Sequence, residues 1–133
     1  MVAAVSGRIR VVVVEDNDVF REALQLLLGL RPEIEIVAAL ADGHDVADVC
    51  RELRPDVVVV DYRLPGIDGV QVTTSILEAS PTTAVVALTA SANAREQGAL
   101  IEAGAVACLT KDQPLDEIVD AIHRAGGRLA PAE

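Results

Sequence analysis

The stretch Val57-Val58-Val59-Val60-Asp61-Tyr62-Arg63-Leu64-Pro65-Gly66-Ile67-Asp68-Gly69 decides the fold. Four β-branched residues without polar alternation form a strand buried on both faces, as in a parallel sheet covered by helices. The run ends in a carboxylate, and the Pro65-Gly66 and Asp68-Gly69 pairs turn the chain before a helix starts at about Val70. Val11-Val12-Val13-Val14 is a second such run and ends in Glu15-Asp16. Three weaker segments complete the set: Ile34 to Leu40, Ala84 to Thr89, and Ala105 to Thr110.

Helical patterns separate these strands. The first follows Asp18, read as its N-cap, and carries Val19, Phe20, Ala23, Leu24, Leu27 and Leu28 on one face before Gly29 and Pro32 stop it. The second runs from about Gly43 to Leu53, with Asp42 as its N-cap, and the third from Val70 to Ala79 with Asp68 serving the turn before it. The fourth spans about Asn93 to Ala103. The fifth begins at Pro114 and places Leu115, Ile118, Val119 and Ile122 on one stripe. Strict alternation of strand and helix implies right-handed crossovers and an α/β fold with a doubly wound, five-stranded parallel sheet and five helices.

A length of 133 residues and 13.9 kDa fits one domain. Hydrophobic residues make up 51% and charged residues 24%, with mean hydropathy +0.37, so the chain can bury a sizeable core. The formal charge of −10 repels a phosphate backbone, which argues against direct nucleic-acid binding by this segment. Cys50 and Cys108 lack metal-ligand or disulfide-framework spacing and read as small core residues. His44 and His123 have no ligand partner one helical turn away and read as surface residues. No apolar stretch approaches the roughly 18 to 20 residues needed to span a bilayer, and the first residues lack the apolar centre of a signal peptide, so the expected location is cytoplasmic, with no membrane partner. Phe20 and Tyr62 are the only aromatics, too few for stacking on a flavin or on bases.

In an open parallel sheet, ligands bind beyond the carboxyl ends of the strands. Those ends carry Glu15 and Asp16, Asp61, Thr89, and Thr110-Lys111. Carboxylates brought together repel one another by a few kcal/mol per pair at an effective dielectric near 20. A hard divalent cation such as Mg²⁺, held by one or two carboxylates, offsets that repulsion and keeps sites for phosphate oxygens. With a lysine ammonium and a threonine hydroxyl alongside, the set suits a phosphoryl group. Any one of these residues alone would read as an ordinary strand-end or loop residue.

From about Arg8 to Arg128 the chain resembles the receiver domains of bacterial two-component response regulators. The resemblance rests on Glu15-Asp16, on Asp61 followed by Leu64-Pro65-Gly66-Ile67-Asp68-Gly69, on Leu88-Thr89-Ala90 and on Thr110-Lys111-Asp112, in the family's order and spacing. It implies a flavodoxin-like sheet of order 2-1-3-4-5. It also implies Asp61 as phosphoacceptor from a sensor histidine kinase. Mg²⁺ would be held by Asp61, by Asp16 directly, by Glu15 through water and by the backbone carbonyl of Arg63. Lys111 would bond a phosphoryl oxygen, and Thr89 would carry the switch. Arg63 and Ser91 stand where the family tunes dephosphorylation. Cys108, three residues before Lys111, takes a switch position at which the family usually has Tyr or Phe.

The chain is most similar to the NarL/FixJ (LuxR-type) subgroup, whose output is a DNA-binding helix-turn-helix domain. The implied layout is a flexible N-terminus over 1–8, a receiver domain over 9–125, and a tail or linker over 126–133. Autophosphotransfer and slow autodephosphorylation are its only implied chemistry, and a homodimer on phosphorylation is an implied partner state. Two alternatives stay open: a stand-alone receiver acting through protein contacts, and a receiver impaired in phosphorylation by Cys108. A haloacid-dehalogenase-type phosphatase would need a second aspartate at the position of Arg63, and a flavodoxin-type carrier would need a Ser/Thr-rich loop after the first strand.

Overall fold

The computed structural model describes residues 7–90 and 93–127. Its elements are β1 (Ile9–Val14), α1 (Asp18–Gly29), β2 (Ile34–Leu40), α2 (Val46–Leu53), β3 (Val57–Asp61), β4 (Arg63–Leu64), β5 (Ile67–Asp68), α3 (Gly69–Ala79), β6 (Ala84–Thr89), α4 (Ala94–Glu102), β7 (Ala107–Thr110) and α5 (Leu115–Ala125). Five strands form one parallel sheet in the order β2-β1-β3-β6-β7, which is the 2-1-3-4-5 order of the long strands.

The valine runs explain the layering. Val11, Val13, Val57 and Val59 point to one face, where Leu24 and Leu28 of α1 and Ile118, Val119 and Ile122 of α5 cover them. Val12, Val14, Val58 and Val60 point to the other face, against Val46 and Cys50 of α2, Val72 and Ile76 of α3 and Leu100 of α4. Each fully buried valine contributes about 1.5 to 3 kcal/mol, so these two strands anchor the sheet. No helix among the described residues is long and apolar enough to cross a membrane.

Several local expectations change. Asn17, not Asp18, caps α1: its side chain accepts from the Phe20 amide at 2.9 Å, while Asp18 is the first helical residue and pairs with Arg21 at 2.6 Å. The carboxamide lies in the extended residue before the helix, the position from which a side chain reaches the third free amide. Likewise α2 starts at Val46, not near Gly43, because Asp42 accepts from the His44 amide at 2.9 Å and closes a turn. Asp42 therefore does not cap α2; Asp45 precedes the helix without a side-chain bond. Asp68 does serve the start of α3, in a reciprocal capping box with Gln71.

The turns between Asp61 and α3 are parts of a miniature hairpin, β4 paired antiparallel with β5 through Arg63 with Asp68 and Leu64 with Ile67. Pro65 and Gly66 form its loop, and Gly66 takes φ 74°, a left-handed value open to glycine. Gly69 donates to the Tyr62 carbonyl at 2.7 Å, and a Cβ there would lie 2.8 Å from the Tyr62 Cα. The hairpin is thereby fastened to the end of β3. β7 begins at Ala107 rather than Ala105, and Cys108 within it is only half-buried, whereas Cys50 is wholly inside. The expected 1–8 terminus lies mostly outside the described residues, as do Ser91 and most of the 126–133 tail.

Candidate functional site

The sheet brings its polar strand ends to one rim. Glu15 follows β1 and is anchored by its amide to the Leu40 carbonyl at 2.9 Å. Asp61 closes β3, Thr89 closes β6, and Lys111 follows β7 with its amide on the Thr89 carbonyl at 2.8 Å. Glu15, Asp61 and Thr89 are buried, at 1%, 5% and 0% exposure, while Asp16 is exposed. One carboxylate oxygen from each of Glu15, Asp16 and Asp61 lies within 4.8 Å of the other two.

Lys111 bridges the two buried acids. Its Nζ lies 2.7 Å from Glu15 Oε1 and 3.2 Å from Asp61 Oδ2. The remaining oxygens face backbone donors, with Glu15 Oε2 accepting from the Asn17 amide at 3.0 Å and Asp61 Oδ1 from the Arg63 amide at 3.3 Å. Burial, and then the charge of Glu15, push the Asp61 carboxyl up to about 6, against the opposing pull of Lys111. Burial presses the Lys111 ammonium down, but its bond to Glu15 and the charge of Asp61 outweigh that and raise it. The ammonium is therefore a fixed positive charge beside Asp61.

Two negative groups and one positive group leave the rim with excess negative charge, to which Asp16 adds at the solvent side. Such hard oxygen donors at this spacing fit a small divalent cation that retains part of its water shell. What the rim offers chemically is an ionisable carboxylate oxygen on a rigid strand end, an ammonium in contact with it, and room for a cation on its solvent side.

Residues that sequence reading passed over also stand here. Phe20, read only as part of the apolar face of α1, places its ring 4.7 Å from Lys111 Nζ. Glu96, in the first turn of α4, pairs with Arg63 at 3.1 Å, and Arg63 also lies 5.9 Å from the Tyr62 ring centroid. Burial and then the nearby charge of Glu96 push the Cys108 thiol up. The rarity of aromatics was a usable signal for Phe20. Glu96 gave none, since a helical glutamate ordinarily faces solvent.

Comparison with known proteins agrees with the fold. The transcriptional regulatory protein LnrK of Bacillus subtilis is 34% identical over 127 residues, which cover 94% of this chain and 58% of that protein. The chain thus spans little more than half the length of this curated relative. Among solved structures, the receiver domain of the putative response regulator NarL from Mycobacterium tuberculosis superposes with a TM-score of 0.85 at 31% identity, covering 90% of this chain and 97% of that one. A two-component response regulator of the LuxR family from an Aurantimonas species also gives a TM-score of 0.85 at 31% identity, over 91% of this chain and 87% of that one. The response regulator receiver domain family matches residues 11–123, and with the sheet order in agreement the chain belongs to that family.

Proposed function

We propose that this chain is a phosphorylation-controlled switch, with Asp61 accepting a phosphoryl group from a sensor histidine kinase. The observation that carries the reading is Asp61 itself, buried at the end of β3, ionisable, 3.2 Å from the Lys111 ammonium and grouped with Glu15 and Asp16. In the transfer, an Asp61 oxygen attacks phosphorus, the bond from phosphorus to the donor atom breaks, and the leaving group keeps the electron pair. Lys111 bonds a phosphoryl oxygen and holds its charge in place through the step.

Asp16 and Asp61 would hold Mg²⁺ directly, with Glu15 acting through water and the Arg63 carbonyl completing the set. Bound there, Mg²⁺ would supply charge neutralisation for the carboxylates and the transferred group. The aspartyl phosphate carries about −1.5 to −2 of charge in place of the carboxylate's −1, drawing on the Thr89 hydroxyl and Lys111 and shifting an existing equilibrium between two forms. Cys108 carries no ring, so in that shift it can fill a small gap but cannot report a ring rotation.

The output we assign is transcriptional, through a helix-turn-helix domain outside this segment, because the relative LnrK bears the name of a transcriptional regulatory protein and the Aurantimonas structure that of a LuxR-family regulator. A homodimer formed on phosphorylation would fit that output. The receiver unit is taken as 9–125, with 126–133 leading toward the output domain. Intact-protein mass tests the reading. Incubation with acetyl phosphate and Mg²⁺ should add one phosphoryl group to the wild type, and none to Asp61→Asn or to an EDTA control. Equal modification of the Asn variant would refute Asp61 as acceptor.

A further inference from the structure

Phe20 lies one turn into α1, half-buried against the core between α1 and α5. Its amide is the group that Asn17 caps, so its place is tied to the turn that carries Glu15 and Asp16. Its ring centroid is 4.7 Å from Lys111 Nζ, inside the roughly 6 Å at which a ring face attracts a cation. The same ammonium meets Glu15 Oε1 at 2.7 Å and Asp61 Oδ2 at 3.2 Å. Helix α1, the turn after β1 and the end of β3 thus hold one flexible side chain.

We propose that Phe20 is the positioning residue for Lys111, its ring face fixing the ammonium where it meets the group transferred to Asp61. The proposal rests on the reading of Asp61 as phosphoacceptor. Glu15 is the nearer carboxylate, and charge alone would draw Lys111 toward β1. A lysine stem is long and freely rotating, and an ammonium is a point charge without the fixed fork of an arginine. Something rigid must therefore limit its excursions. The ring does so without a formal charge of its own, so it neither competes for a cation at the acidic rim nor titrates. A cleft of about 140 Å³ flanks the contact, lined by Ala23, Leu24, Leu27 and Leu115 among others. A shorter side chain at position 20 would let the lysine stem settle toward that cleft and away from Asp61.

Two measurements test this. In metal-free protein, proton NMR of the Lys111 ε-methylene should show resonances displaced upfield by the ring, retained in Phe20→Tyr and lost in Phe20→Leu. Equal shifts in the wild type and Phe20→Leu would overturn the contact, whatever the role of Asp61. In the second, the rate of phosphorylation by acetyl phosphate with Mg²⁺ is followed by intact mass. Phe20→Leu should be about three- to tenfold slower, from the usual strength of such contacts, and Phe20→Tyr within about twofold of wild type. In a Lys111→Ala background, Phe20→Leu should change nothing further. A loss of the same size in both backgrounds, or one shared by the Tyr variant, makes Phe20 merely structural and overturns the proposal. A wild type that takes no phosphoryl group refutes the phosphoacceptor reading and the positioning role with it, and the NMR shift still reports separately on the contact.

Discussion

Replacing Asp61 by asparagine should stabilise the fold, and the gain should shrink in acid. Burial and Glu15 hold the Asp61 carboxyl at about 6, above the usual 3.8 that it regains on unfolding. Raised in the fold, the group opposes folding once ionised: the cost is absent below about 4, grows between about 4 and 6, and is complete above about 6. The difference corresponds to about 3 kcal/mol at neutral pH as an upper value. Asparagine keeps an oxygen for the Arg63 amide but cannot attract Lys111, which retains Glu15 at 2.7 Å. The expected gain is therefore about 1 to 3 kcal/mol at pH 7.5, falling to roughly half of its value at pH 5. The chain has no tryptophan, so urea unfolding would be followed by circular dichroism, in EDTA to keep cations from the rim. Titrating groups remote from Asp61 are shared by both proteins and cancel in the difference, and Lys111, raised in the fold, stays charged at both pH values. An asparagine variant less stable than wild type at pH 7.5 would show Asp61 to be structural. A gain of equal size at both pH values would refute the electrostatic account.

Lys111→Ala should retain Mg²⁺ binding by isothermal titration calorimetry while phosphorylation slows; a loss of Mg²⁺ affinity beyond about tenfold would contradict the role given to the ammonium. Asn17→Ala should cost about 1 kcal/mol in urea unfolding, because the Phe20 amide loses its acceptor, whereas Asp18→Ala should stay within about 0.5 kcal/mol since its pair with Arg21 is exposed. The reverse ranking would return the cap to Asp18. Gly69→Ala should cost about 1 to 3 kcal/mol, as its new methyl would sit 2.8 Å from the Tyr62 Cα and force the hairpin away from β3. A neutral result in the same unfolding assay would show that the hairpin moves freely.

The sheet was legible because Val11 to Val14 and Val57 to Val60 are buried on both faces, which removes the polar alternation that would signal any other kind of strand. The acidic rim was legible for a related reason: a strand otherwise all valine that ends in a carboxylate must deliver it to a surface. β4 and β5 escaped because two-residue strands carry no periodicity, and only the Pro65-Gly66 pair hinted at them. Asn17 and Asp18 are both good cap residues side by side, and the choice depends on the angle at which the chain leaves β1. The ring of Phe20 over Lys111 and the pairing of Glu96 with Arg63 are products of helix packing, since spacing along the chain distinguishes neither from core or solvent-facing residues.

The opposed effects on Asp61 set what this carboxylate can do. At about 6 it is ionised by roughly thirty to one at pH 7.5, so burial has raised its basicity without removing the charge a nucleophile needs. A carboxylate fully in water would be ionised too, yet with less basic oxygens and a hydration shell to shed. A carboxylate buried beside Glu15 without Lys111 would hold its proton to higher pH, because the ammonium is the charge that opposes Glu15. Lys111 thus keeps Asp61 anionic in its buried setting. On the proposed reading, this is the reason that the ammonium must be held beside Asp61 rather than left to follow the nearer Glu15.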